Sequence, residues 1–308
     1  MSERSAPKTG IEVPVGPATV AVADVHVRYR VPSTERAARA SGTRAKQIAN
    51  RLLGRSPEVL VRALSGISFV ARSGESIGII GRNGSGKSTL LRVIAGLETP
   101  ARGTVLAESN PVLLGVNAAL MPELSGEQNV RLGLLAMGKS PEETVDLMAH
   151  VIDLAGIGKA IYLPMRTYSS GMGSRLRFAI AAAANPHILL IDEALATGDA
   201  AFKGRSEQKM AELRENAGTV FLVSHAAQTV EEMCTRAIWL DRGRVILDGP
   251  AYDTAQKYRW WAWNLAKGDY DKADTLIKGA HAEHAATVVD ILAPTHGILG
   301  PPRHARHR

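Results

Sequence analysis

The sequence predicts an α/β fold with a mixed, largely parallel core sheet, and three observations support this. First, a buried strand with the sequence ESIGIIG precedes a glycine-rich turn and a helix from Ser88 to Gly96. Second, short strand-like runs with helical segments between them recur later, at 188–191, 219–223 and 237–240. Parallel pairing requires this alternation of strands and helices. Third, a final run at 244–247 follows Arg242 and Gly243, which predicts a hairpin.

The composition narrows the function classes without choosing one. The 308 residues include 37 Lys and Arg against 30 Asp and Glu, so the formal charge is +7. Such a surface favours anionic partners, which leaves nucleotide, nucleic acid and anionic lipid open. Cys234 is the only cysteine, which excludes an internal disulfide. No apolar stretch is long enough to span a bilayer, and the first residues lack a secretory h-region. We therefore expect the protein to stay in the compartment where it is made, with any transport pore formed by another chain.

The chain also divides by composition before its main α/β part. Residues 1–17 are predicted to be a disordered leader, and an alternating strand follows from Thr19 to Tyr29. The insert 32–57 is basic, and the spacing of its apolar residues predicts a short amphipathic helix. That helix either lies on an anionic surface or is an ordinary solvated helix. A further helix is predicted from the capping box of Ser140 and Glu143 to about Ala155. Its apolar stripe is predicted to be core: Val145, Leu147, Met148, Val151, Ile152 and Leu154.

The run GRNGSGKST matches the P-loop pattern and lies between the buried strand and its helix. Its glycines let backbone N–H groups approach phosphate oxygens closely. In this pattern Lys87 reaches the β- and γ-phosphates, and the Ser88 hydroxyl ligates Mg²⁺. The predicted ATP-binding residues are Gly81, Arg82, Asn83, Gly84, Ser85, Gly86, Lys87, Ser88 and Thr89.

Two acidic residues end the apolar run ILLIDE. The carboxyl ends of strands in such a sheet border the ligand crevice, so these acids are predicted to lie beside the P-loop. Asp192 is predicted to hold Mg²⁺ through water. Glu193 is predicted to polarise the attacking water, the group that hydrolysis needs beyond phosphate positioning.

Further motifs lie around the P-loop and the ILLIDE run in the order typical of ABC ATPases, and the chain therefore resembles the ABC ATPase family. YSSGM stands at the place of that family's LSGGQ signature, just upstream of ILLIDE. The resemblance implies an antiparallel β portion, a helical subdomain at about 115–180, and ATP and Mg²⁺ as cofactors. It also implies roles for Tyr29 in stacking adenine and for His225 as the catalytic switch histidine. The signature residues Ser169, Ser170, Gly171 and Met172 are expected to bind ATP in trans. Asp199 corresponds to the family's D-loop aspartate. The family's Q-loop Gln is missing, and Asn117 is the amide nearest to its place.

The details of these motifs resemble the ATPases of polysaccharide exporters, which serve O-antigen, teichoic acid and cell-wall galactan. That resemblance implies a cassette at 18–249, a C-terminal helical extension at 250–308 with a disordered tail, and a position at the cytoplasmic face of the membrane. It also implies a head-to-tail homodimer, a separate polytopic permease, a lipid-linked polysaccharide substrate and no nucleic acid. The alternatives are an importer or another exporter subunit, or a soluble ABC ATPase acting on ribosomes or DNA. The aromatic residues near Trp261 are predicted to serve core or dimer packing, with membrane anchoring as the alternative.

Overall fold

The computed structural model describes residues 16–32, 58–114, 120–192, 200–224 and 226–287. Most of the basic insert, the leader and the chain end therefore lie outside the described residues. The described strands form two sheets. Helices pack around them over three apolar clusters.

The first sheet is antiparallel, with strand order β2-β1-β4. Its strands are β1 (Ala18–Pro32), β2 (Glu58–Arg72) and β4 (Arg102–Ala107). Alternation buries Val20 and Val22 on one face. A bulge at Asp24, where φ is 48°, then shifts the phase by one residue, so that Val25 and Val27 stay buried on that same face.

The second sheet contains six strands in the order β5-β6-β7-β3-β8-β9. These are β3 (Ser76–Ile80), β5 (Val112–Leu113), β6 (Ile188–Asp192), β7 (Thr219–Val223), β8 (Arg236–Asp241) and β9 (Arg244–Pro250). All neighbouring pairs are parallel except β8 and β9. The predicted fold class is confirmed. The hairpin turn also has the expected positive φ angles, 47° at Arg242 and 75° at Gly243.

Eight α-helices are described. They are α1 (Lys87–Ile94), α2 (Gly126–Ala136), α3 (Pro141–Ala155), α4 (Ser170–Ala183), α5 (Ala200–Asn216), α6 (Ala227–Met233), α7 (Ala251–Ala266) and α8 (Tyr270–Thr287). The predicted capping box of α3 is confirmed by reciprocal bonds between Ser140 and Glu143. Val145 was wrongly expected to be core. It is 64% exposed, because α3 packs on α4 through the face that carries Val151 and Leu154.

Helix α7 carries aromatic residues on two faces. Tyr258 and Trp261 pack against Trp239 of β8, with ring centroids 5.6 and 5.1 Å from the Trp239 ring. Trp260 and Trp263 point outward and stack on each other at 4.9 Å. The expectation of core packing therefore holds for only part of the set. Within the described residues, no helix has the length and apolar character needed to cross a bilayer.

Candidate functional site

The P-loop connects β3 to α1, and its neighbours require glycine at two positions. A Cβ on Gly81 would contact the Leu240 carbonyl oxygen and would lie 2.6 Å from Ser85 Oγ. A Cβ on Gly86, whose φ is 105°, would lie 2.7 Å from the Ala63 carbonyl oxygen. Both positions have a left-handed backbone that only glycine adopts without strain. The loop path is therefore determined by close backbone packing.

Two neighbouring segments hold this loop from outside. Gly243, in the β8–β9 turn, donates its N–H to the Ser85 carbonyl at 2.9 Å and accepts from the Ser65 N–H at 2.8 Å. Ala63 is skipped in the pairing of β1 with β2, which makes it a bulge beside Gly86. A chain of backbone contacts thus joins β2, the β8–β9 turn and the P-loop.

Lys87 is buried beneath the loop, with 5% of its surface exposed. Its ammonium group donates to the Gly81 carbonyl at 2.7 Å and to the Arg82 carbonyl at 3.1 Å. Burial lowers the pKa of Lys87, and the negative charge of Asp192 partly offsets this effect. The structure therefore brings together the predicted lysine and the predicted acid at the end of β6.

Apart from the buried Ser85, the rest of the P-loop is exposed or half-buried. Arg82, Asn83, Gly84 and Ser88 are exposed, and Thr89 is half-buried in the first turn of α1. Ser88 and the nearly buried Asp192 provide oxygen ligands of the kind Mg²⁺ prefers. This ion takes only one or two protein ligands and completes its shell with phosphate and water. The described residues contain no denser cluster of metal-binding side chains, and these two positions suffice for Mg²⁺.

The signature residues begin helix α4. Ser169 is the N-cap, and its Oγ accepts a hydrogen bond from the Met172 N–H at 3.2 Å. Ser170 is exposed, and a Cβ on Gly171 would meet nothing closer than Ser169 Oγ at 3.9 Å. The chain's own packing does not require glycine at 171. Space above this helix N-terminus is compatible with close approach by another molecule.

The other predicted residues divide into placed and unplaced ones. Tyr29 is half-buried on β1 opposite Val61 and packs at the edge of the core. Ser224 directly follows β7, and its Oγ accepts a hydrogen bond from the Ala226 N–H at 3.0 Å. Four residues to which we assigned roles lie outside the described residues: Glu193, His225, Asp199 and Asn117.

Asn129 in α2 is a structurally important residue that the sequence pattern did not single out. It is fully buried, and its Nδ2 donates to the carbonyl oxygens of Met121, Leu124 and Ser125 at 2.9, 3.2 and 3.0 Å. Its Oδ1 accepts from the Met121 N–H at 2.7 Å. One side chain thus fixes the segment 121–125, next to the place where a Q-loop was expected. The sequence feature that could have identified Asn129 is a polar residue within the apolar stripe of a predicted helix.

The family model described as ABC transporter matches residues 64–196. A teichoic acids export ATP-binding protein of Staphylococcus haemolyticus is 34% identical over 234 residues, which cover 76% of this chain and 89% of that relative. The chain belongs to the ABC transporter family. Membership in this family explains why the P-loop, the YSSGM segment and the ILLIDE strand follow one another in that order along the chain.

Other relatives and solved structures agree. A teichoic acids export ATP-binding protein of Bacillus cereus is 43% identical over 64% of this chain, and the match spans only 36% of that relative. An O-antigen export ATP-binding protein of Myxococcus xanthus is 40% identical over 65% of this chain and 46% of its own length. An ATP-binding cassette solved as a dimer with ADP and Pi shares the fold, with 22% identity, a TM-score of 0.56, and coverage of 75% of this chain and 98% of that one. This ABC protein is thus similar in sequence to ATP-binding proteins of teichoic acid and O-antigen export, and it spans about a third of the length of the Bacillus cereus relative.

Proposed function

We propose that this ABC protein binds and hydrolyses ATP to power the export of a lipid-linked polysaccharide through a separate transmembrane permease. The observation that carries the proposal is the buried Lys87, which lies within electrostatic range of Asp192 beneath a P-loop whose path requires glycine. Relatives named for teichoic acid and O-antigen export support the cargo class. Cell-wall galactan is one candidate cargo. The chain would then act at the cytoplasmic face of the cell membrane.

The residues of one copy perform the first half of the site. P-loop amides hold the phosphates, Lys87 neutralises charge on the β- and γ-phosphates, and Tyr29 stacks against adenine. Mg²⁺, held by Ser88 and Asp192 with Asn117 as a further candidate ligand, would neutralise phosphate charge. Glu193 orients and polarises water for in-line attack, and His225 contacts the γ-phosphate.

A second copy completes the site. Ser169 to Met172, at the N-terminus of α4, present amides and the positive end of a helix dipole to the γ-phosphate bound in the partner. Asp199 would line the same interface. ATP closes the pair because the closed state binds it better, and hydrolysis lets the pair open. The open position above Gly171 supports this arrangement.

The decisive experiment compares ATP hydrolysis by the wild-type chain, Glu193→Gln and a control, Glu215→Gln, at an exposed glutamate of α5. Loss of a positioned general base lowers the rate by about 10²- to 10⁴-fold. We expect that loss only in Glu193→Gln, together with an ATP-stabilised dimer in size-exclusion chromatography. Hydrolysis at the wild-type rate would show that the base is assigned wrongly.

A mixing experiment tests the shared site. Gly171→Ala adds a Cβ into open space, so the fold tolerates it, as it should tolerate the control Gly279→Ala on α8. We expect Gly171→Ala and Lys87→Ala each to hydrolyse ATP poorly and their mixture to recover activity, because one site in the mixed dimer is intact. Failure to recover would contradict sites shared between copies.

Reconstitution with candidate partners distinguishes an exporter subunit from a soluble ABC ATPase. Stimulation of hydrolysis by a polysaccharide-export permease supports the proposal. Stimulation only by ribosomes or DNA would favour a soluble ABC ATPase instead.

A further inference from the structure

The antiparallel sheet has an outward face with a concentration of positive charge. Along β1 the residues alternate, with Val27 buried, Arg28 exposed, Tyr29 half-buried and Arg30 exposed. Residues directly opposite each other on paired strands share a face. The register therefore adds more cations to the face of Arg28, since Arg62 lies opposite Arg28 and Arg102 lies opposite His26. We call these five residues, His26, Arg28, Arg30, Arg62 and Arg102, the outer basic face.

Asp24 supplies negative charge at one end of this face. Asp24 accepts from His26 Nε2 at 2.8 Å and pairs with Arg102 Nε at 2.9 Å. The hydrogen bond with His26 lowers the pKa of Asp24 most and Arg102 lowers it further, so that carboxylate is already shared. In the part of the chain that the structure describes, no carboxylate lies within ion-pair distance of Arg28 or Arg62.

The Arg28 and Arg62 pair costs stability in the isolated chain. Like charges directly opposite on neighbouring strands repel, and the bulge at Ala63 does not separate the two Cα partners. An anion placed over the pair would remove this repulsion. Guanidinium groups suit phosphate in particular, because they donate two parallel hydrogen bonds to its oxygens.

The neighbouring side chains indicate what carries the phosphate. Leu60 lies opposite Arg30 on the same face and is 50% exposed. Exposed apolar residues beside cations are typical of surfaces that contact the interface of a bilayer. The cations also span three strands, about 10 Å across, so they can contact several phosphates of a flat surface together.

We propose that the outer basic face binds the phosphate headgroups of an anionic lipid surface. This contact is additional to any contact with a permease and does not require ATP hydrolysis. Its failure would leave the proposed ATPase function untouched, because none of these residues belongs to the nucleotide site.

The test is flotation of the purified full-length chain with vesicles, without permease. Vesicles of phosphatidylcholine are compared with vesicles of phosphatidylcholine and phosphatidylglycerol. Each Arg near an anionic surface strengthens binding about fivefold, so Arg28→Gln/Arg62→Gln should bind the anionic vesicles about 25-fold more weakly. The control Arg244→Gln/Lys278→Gln makes the same charge change at two exposed positions elsewhere and should bind like the wild type.

Stability separates a binding role from a structural one. Because the pair is repulsive, the double variant should unfold at the wild-type temperature or above it, with unchanged ATP hydrolysis. If the double variant does not fold, Arg62→Gln alone should still lose about fivefold in vesicle binding.

Three outcomes would overturn the proposal. Wild-type vesicle binding by Arg28→Gln/Arg62→Gln would assign any lipid contact to another part of the chain, such as the basic stretch 32–57. Displacement by inorganic phosphate or pyrophosphate at an equal phosphate concentration would indicate a discrete site for a soluble anion. Tighter binding of single-stranded RNA than of anionic vesicles, lost in the same variant, would indicate a nucleic-acid surface.

Discussion

Replacing Asn129 with Leu should destabilise the protein and disturb its coupling to a permease. The side chain makes four hydrogen bonds to the segment 121–125 and is fully buried. At about 1 kcal/mol net for each bond, with partial rehydration of the freed backbone groups, the loss should be about 2–4 kcal/mol. Urea unfolding measures this loss, and the melting temperature should fall by roughly 5–10 °C.

Two further variants sharpen that test. Asn264 in α7 is also buried but makes a single hydrogen bond, to the Trp260 carbonyl at 2.7 Å. Asn264→Leu should therefore cost only about 1 kcal/mol. Asn129→Asp replaces the donor that faces three carbonyl oxygens with an acceptor, so it should be at least as damaging as Asn129→Leu.

ATP hydrolysis, measured with and without a permease, is the second test of the role of Asn129. Basal ATP hydrolysis by folded Asn129→Leu should match the wild type, because the P-loop contacts are unchanged. Stimulation by a permease should fall, since the displaced segment adjoins the place of the family's Q-loop. A loss of stability below about 0.5 kcal/mol, or Asn129→Asp as stable as the wild type, would refute the assignment of these hydrogen bonds.

Three other predictions follow from close packing, paired charge and burial. Gly86→Ala places a Cβ 2.7 Å from the Ala63 carbonyl at a left-handed φ, so the KM for ATP should rise and stability should fall by about 1–2 kcal/mol or more, measured by hydrolysis and urea unfolding. Arg236→Met removes the shared partner of Asp248, whose Oδ1 is 2.6 Å from Arg236 Nε, and of the buried Glu75, so the free energy of unfolding should fall by about 3–5 kcal/mol while hydrolysis per folded molecule is unchanged. Burial raises the pKa of Cys234 to about 11, so mass spectrometry should show slow alkylation of the native thiol at neutral pH and fast alkylation in urea.

The parts of the fold that follow from local chemistry could be predicted from the sequence. The path from β3 through the P-loop to α1 was expected because glycines, a buried strand and a helix start coincide there. The α3 capping box and the hairpin turn at Arg242 and Gly243 were expected for similar local reasons. Each of these features depends on residues that lie close together in the sequence.

Features that depend on pairing between distant segments could not be predicted. The bulge at Ala63 exists because β2 must adjust its register to β1, and neither strand's sequence shows where that adjustment occurs. The division of the tryptophans between two faces of α7 depends on which face meets β8. Only the register of β1 with β2 and β4 places Arg62 and Arg102 on the face of Arg28.

Helix α7 also contributes to the setting of the P-loop. Ile80, the residue before the loop, packs in one cluster with Trp239, Ala255 and Trp261. Tyr258 lies in the electrostatic range of Arg82, and burial raises the pKa of Tyr258. Helix α7 therefore holds the strand end that carries the loop, while Ala63 and Gly243 hold the loop from its other sides. A glycine-rich loop keeps its phosphate-binding shape because rigid neighbours on several elements fix it, and in this protein one of those elements follows the last strand of the core sheet.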